Sequence, residues 1–179
     1  MDFVLKRDLE NPSLNLVYVD LIFAKKPYEA RKIGNSKQII VIKGINDDVN
    51  RAALENKYID VLLNPGFFNE KDFMHSRNSG LNQVLCKLAK KNDIAIGFGF
   101  SDLIHFEKKE ILLGRMMQNI SLCRKFKVKM VLGSFANKDI EIKNKNELMS
   151  FGKIIGMDGR EIKESLNFKK KEEKIRIEK

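Results

Sequence analysis

Two rhythms alternate along the chain. Short runs of Val, Ile and Leu are bounded by Gly, Pro, Asn or Asp, and between them lie stretches with apolar residues at i, i+3 and i+4. Leu16 to Ile22 predicts a first clear strand, and Pro27 to Ile33 a short helix with Pro near its start and Gly34 past its end. Gln38 to Lys43 predicts a second strand, ended by Gly44. Asp47 or Asp48 is the expected N-cap of the next helix, which carries Val49, Ala52, Ala53 and Leu54 along one face. Ile59 to Leu63 reads as a strand running into the breaker Asn64-Pro65-Gly66. Ser79 to Lys91 reads as a helix with Leu81, Val84, Leu85, Leu88 and Ala89 at helical spacing and Lys87, Lys90 and Lys91 on or near the opposite side. A strand over Ile94 to Phe100, the longest helix over Ile111 to Phe126 and a last strand over Lys129 to Leu132 follow. Helices over Asn146 to Ile155 and Gly159 to Leu166 close the pattern, and Phe3-Val4-Leu5 is a candidate edge strand.

Strands of near-continuous Val, Ile and Leu separated by helices belong to a parallel sheet covered on both faces, so the fold class is α/β, either a barrel or an open doubly wound sheet. A full eight-stranded barrel takes about 250 residues, and a chain of 179 predicts a compact or incomplete one. Its length supports a single domain, expected over 1–167. The segment 168–179 mixes dense charge with two isoleucines and lacks an apolar helical face, so it is expected to be a mobile tail.

Charge narrows the function classes. Thirty-four Lys and Arg against 24 Asp and Glu give a formal net charge of +10, a surplus suited to polyanions such as RNA or to anionic membranes. No run approaches the roughly 18 apolar residues that span a bilayer, and Met1 to Asp8 carries charges where a signal peptide needs an apolar stretch. A cytoplasmic protein without membrane association is expected. Cys86 and Cys123, the only cysteines, lie in helical stretches without zinc-site or disulfide spacing and read as small buried apolar residues.

Catalytic barrels place reactive groups at the C-terminal ends of their strands. Asp20, Lys43, Asn64, Gly97, Gly99, Ser101, Asp102, Gly133 and Ser134 are expected there. Metal-assisted hydrolysis needs converging His and carboxylates, and the two histidines, His75 and His105, are separated along the chain. A small metal-dependent phosphoesterase using Asp20, Asp102 and one of these histidines is the competing reading. The glycines of Gly97-Phe98-Gly99 complete no phosphate-loop fingerprint and read better as close packing within a strand.

The segment His75 to Gln83 is polar at seven of its nine positions. Placed before a helix, Asn78 or Ser79 would cap free N–H groups while Arg77 projects outward as an anion site, the plainer alternative being Arg77 paired with an acid. Basic residues also gather at Arg115, Arg124, Lys125, Lys127 and Lys129, and at Lys25-Lys26 and Arg31-Lys32. Each could neutralise an RNA phosphate or be an ordinary solvated charge.

Arg77 to Ala89, continuing through Asn92 into Ile94 to Phe98, resembles the signature stretch of the ribonuclease P protein component 3 family. Ile59 to Leu62, Met130 to Ala136 and Phe151-Gly152 through Met157 support the likeness, which spans about residues 14–167. The opening Asp2-Phe3-Val4-Leu5 departs from the family's Asp-Leu-x-Val-like opening. The resemblance implies a TIM-barrel-like fold related to the polymerase and histidinol phosphatase superfamily, with no catalytic site. It further implies pairing with another small ribonuclease P protein and binding to the ribonuclease P RNA, which itself matures the 5′ end of precursor tRNA with Mg²⁺; the protein is expected to bind no cofactor. Arg77, Asn78, Ser79, Lys43, Arg115, Arg124, Lys125 and Lys129 are the candidate RNA contacts.

Overall fold

A computed structural model describes residues 2–5, 15–68 and 71–170. Six strands, β1 (Asp2–Val4), β2 (Leu16–Ile22), β3 (Ile39–Lys43), β4 (Val61–Leu63), β5 (Ala95–Gly99) and β6 (Met130–Gly133), pair in parallel in chain order. The helices are α1 (Pro27–Arg31), α2 (Asp47–Glu55), α3 (Gln83–Lys91), α4 (Phe100–His105), α5 (Lys109–Phe126), α6 (Lys145–Ile154) and α7 (Gly159–Leu166), with a 3-10 turn at Asp139–Glu141. Beyond the end of β6 the chain meets β1. Val4 bridges Ala136 in parallel, the Phe135 N–H donates to the Phe3 carbonyl at 2.7 Å, and the Leu5 N–H donates to the Ala136 carbonyl at 3.0 Å. The sheet is thereby a nearly closed, TIM-barrel-like ring of six strands where the full barrel has eight.

The continuous apolar run of β3 shows why neither face of the sheet meets water. Ile39 and Val41 fill the barrel interior with Phe3, Val61, Leu63 and Val131, while Ile40 and Ile42 join the layer beneath the helices. Six strands leave a narrow interior. A Cβ on Gly97 would stand 2.8 Å from Val61 Cγ1 and 3.1 Å from Leu63 Cδ1, so the glycines of β5 serve close packing, as the sequence suggests. The seam of the ring is tied by the buried Asp2 carboxylate, which accepts from the Ser134 N–H at 2.7 Å, the Ser134 hydroxyl at 2.6 Å and the Lys143 N–H at 3.2 Å. Burial outweighs these bonds and raises its pKa.

Several boundaries differ from the sequence expectation because side chains take over backbone partners. Asn46, not Asp47 or Asp48, caps α2 by accepting from the Val49 N–H at 2.9 Å. Asn82, not Asn78 or Ser79, caps α3 through the N–H groups of Val84 and Leu85. The strand expected from Ile59 starts at Val61, and Asp60 Oδ2 accepts from the Ile40 N–H at 2.9 Å.

The tail expected from 168 is corrected as far as Lys170. Phe168 packs into the barrel-interior cluster with its ring 6.4 Å from that of Phe3. The Lys170 ammonium donates to the Ser36 carbonyl and, at 2.6 Å, to the Gln38 carbonyl, and lies 3.9 Å from the fully buried Asp60. Phe168 and Lys170 therefore cover the N-terminal end of the barrel; the rest of the expected tail, 171–179, lies outside the described residues. Ending the chain at Asn167 instead of Lys170 is expected to lower stability by about 2 kcal/mol, the loss of a partly buried ring and of the cation beside a buried acid. Urea unfolding of the two truncated chains measures this, and equal midpoints would refute it.

Candidate nucleic-acid interface

At the C-terminal mouth of the barrel, Lys43 leaves β3, Asn64 follows β4 and Asp102 lies in α4. The Lys43 ammonium is paired with Asp102 Oδ1 and sits 3.7 Å from the centre of the Phe67 ring. Asn64, in a left-handed conformation (φ 43°), donates to Asp102 Oδ2 at 2.6 Å and accepts from the Gly99 N–H at 3.1 Å. Lys43 is thus withdrawn from the list of RNA contacts: its charge is buried and neutralised. Asp20 does not reach the mouth. It lies within β2, between Val19 and Leu21 of the barrel-interior cluster, and accepts from the Ser36 hydroxyl at 3.0 Å.

His105 Nε2 is 2.7 Å from Glu141 Oε1, a carboxylate that burial alone would raise but that the Asn137 N–H and His105 hold below its ordinary range. His75 is exposed on the β4–α3 segment. Among the described residues no three His, Cys, Asp or Glu side chains converge to hold a metal ion. Burial pushes the Cys86 thiol up to about 11 and the Cys123 thiol well above its usual value, consistent with both being packing residues.

The polar segment before α3 is organised mainly by side chains of α5. Asp72 Oδ1 accepts from the Asn78 N–H at 2.9 Å and from Arg115 Nε at 2.8 Å, while Arg115 Nη1 donates to the carbonyls of Gly66 at 2.9 Å and Phe68 at 2.7 Å. Burial would raise the Asp72 pKa, but the Arg115 and Asn78 bonds with the charges of Arg115 and Arg77 hold it lower. Ser79 accepts from Gln118 Nε2 at 3.2 Å, and its carbonyl accepts from Asn119 at 2.9 Å. Arg115 is 0% exposed, and Asn78 and Ser79 are also buried. All three expected RNA contacts are corrected: they moor the loop to α5, because a long polar segment crossing a barrel end needs buried partners for its backbone. Arg77 remains on the surface, its side chain 48% exposed and Nη1 a loose 3.6 Å from Asp72 Oδ2.

The remaining candidates meet at one place. Parallel pairing of β5 and β6 sets Ile96 beside Met130, which brings the end of α3 against the end of α5. Lys129 pairs with Asp93 at 2.8 Å, and Arg124 holds Glu161 at 2.7 Å and the Gly156 carbonyl at 2.9 Å. The Arg124 bond, ahead of the opposing effect of burial, keeps the Glu161 carboxyl below its usual range. Lys125 is exposed, its ammonium 5.8 Å from the Phe126 ring centre. Lys87, Lys90 and Lys91 in the second half of α3 and Lys127 after α5 are also exposed, and among the described residues none of these five lysines pairs with a carboxylate. Lys87, Lys90 and Lys91 are legible in the sequence only as the wet side of one helix. Lysines near a helix C-terminus also suit its dipole, but two such ends side by side form a cationic surface. The other basic cluster, on α1, is broken by acids: Arg31 meets Glu55 at 3.4 Å, and Glu29 accepts from the Lys25 N–H at 2.7 Å.

Residues 14–172 match the model of the family described as RNase P subunit p30. The chain belongs to that family. A relative from Methanosarcina acetivorans named ribonuclease P protein component 3 is 34% identical over 138 residues, covering 76% of this chain and 54% of the relative. One of the same name from Thermococcus gammatolerans is 34% identical over 152 residues, covering 83% of this chain and 67% of the relative. The chain spans about half the length of the Methanosarcina relatives it matches. Its fold is similar, with a TM-score of 0.68 at 23% identity, to a chain in the cryo-EM structure of archaeal ribonuclease P with mature tRNA, covering 91% of this chain and 76% of that one. Among the described residues no helix is long and apolar enough to cross a membrane.

Proposed function

We propose that the chain is a cytoplasmic, RNA-binding accessory subunit of ribonuclease P, with no active site of its own, that supports the catalytic RNA in maturing the 5′ end of precursor tRNA. Its partners are the ribonuclease P RNA and another small protein subunit, with precursor tRNA engaged indirectly. The protein binds no cofactor, and the RNA uses Mg²⁺. The observation that carries this reading is the cationic surface where α3 and α5 end together, on a chain of a ribonuclease P subunit family. Lysines without acid partners there neutralise closely spaced phosphates, which lowers the Mg²⁺ needed to hold the RNA folded. Arg77, before the opposite end of α3, adds a planar donor suited to a phosphate.

Reconstitution tests the proposal. The full chain is combined with the ribonuclease P RNA and the other protein subunits, and cleavage of precursor tRNA is followed at limiting Mg²⁺. Omitting the chain is expected to lower cleavage several-fold and raise the Mg²⁺ requirement. Cleavage that proceeds equally well without it, or turnover of a phosphate ester by the chain alone with bound divalent metal, would overturn the reading.

A further inference from the structure

Gly114 lies inside the 18-residue helix α5, where the backbone takes its ordinary helical form and glycine is a poor choice relative to alanine. The missing side chain is used by a neighbour. A Cβ at position 114 would stand 2.3 Å from Arg77 Cζ and from Nη1 and 2.7 Å from Nε, and these are the three nearest atoms it would meet. The guanidinium therefore rests on the bare surface of α5. Asp72 stands at one edge of it, and the Arg77 carbonyl accepts from Gln118 Nε2 at 3.3 Å, one helical turn beyond Gly114. Asp72 cannot turn fully toward Arg77, because its other oxygen is held by Arg115 and the Asn78 N–H.

We propose that Gly114 is a positioning residue whose side-chain-free patch seats the Arg77 guanidinium with its outer edge presented to a phosphate of the ribonuclease P RNA; this rests on the RNA-binding reading above. A free arginine side chain loses rotamer freedom when it captures a phosphate. A seated one has already lost it, and its planar fork keeps one geometry. A methyl group at 114 displaces only the mobile end of that side chain, so α5 keeps its place while the cation does not.

The test compares Gly114→Ala, Arg77→Ala and the double variant of the full chain for binding to a ribonuclease P RNA transcript across a NaCl series, alongside thermal unfolding. Gly114→Ala is expected to unfold at the same or a higher temperature yet to bind RNA about three- to tenfold more weakly, matching Arg77→Ala, with the double variant no weaker than either. The slope of log affinity against log salt should fall by roughly 0.7–0.9 in all three. Wild-type binding by Gly114→Ala while Arg77→Ala is weakened overturns the seat, as does an additive loss in the double variant. If Arg77→Ala binds normally while Lys91→Glu with Lys125→Glu binds poorly, the seat fails and the RNA-binding reading stands; if no variant changes binding, both fail.

Discussion

Replacing Arg115 by alanine is expected to destabilise the protein by about 3–5 kcal/mol, the cost of removing the buried member of an ion pair and the several bonds it makes. The guanidinium is fully buried in α5, and its loss takes the Arg115 bond from the Phe68 carbonyl, leaves the Gly66 carbonyl with the Phe68 N–H, and leaves the Asp72 carboxylate with the Asn78 N–H and the loose Arg77 contact. It also opens a cavity: a Cβ on Gly66 would already stand 3.2 Å from the aliphatic part of Arg115, so the loop is moulded around that side chain. Arg115→Lys should recover little, since a single ammonium cannot serve the Asp72 carboxylate and two carbonyls in the same geometry. Urea unfolding measures the effect as a lower midpoint with unchanged slope. A loss under about 1 kcal/mol would show that the Asp72–Arg115 anchor is not what holds the segment before α3.

Changing Lys90, Lys91 and Lys125 together to glutamate is expected to weaken binding to ribonuclease P RNA on the order of 100-fold or more at moderate salt, through three lost phosphate contacts and new repulsion. The net charge falls from +10 to +4, since each change removes two units. Lys25, Lys26 and Lys32 changed to glutamate impose the same net charge elsewhere, on the α1 patch that Glu29 and Glu55 already interrupt. That control should lose affinity far less. Equal losses in the two triple variants, measured by filter binding over a salt series, would mean that overall charge and not the joined ends of α3 and α5 attracts the RNA.

Much of the framework was legible because it depends on local order. The strands around Val17, Ile40, Leu62, Ile96 and Val131 announce themselves as apolar runs, and α5 and α7 as periodic segments, since burial on both faces of a parallel sheet leaves little freedom in composition. The caps of α2 and α3 stand one to four residues from the expected ones because Asn46 and Asn82 take the role from comparable neighbours, and nearby Asp, Asn and Ser residues are nearly interchangeable as caps. The helix Phe100–His105 is too short to show a period.

The candidate site was legible in residue type and much less in position. A sequence marks Arg115 and Lys43 as cations and cannot say that Arg115 faces inward from α5 to meet Asp72, or that Lys43 meets Asp102 across 59 positions of chain. Arg77 stands out in the sequence by its polar surroundings, yet the seat beneath it, Gly114, carries no signal in the chain because a helical glycine announces only an absence. The α/β alternation, the basic surplus and the family are all readable along the chain, since each is a sum over neighbouring residues. Which cations stay wet and gather where α3 and α5 end follows from the folded arrangement. That choice depends on which desolvated charges find partners far along the chain, and barrel closure alone sets those pairings.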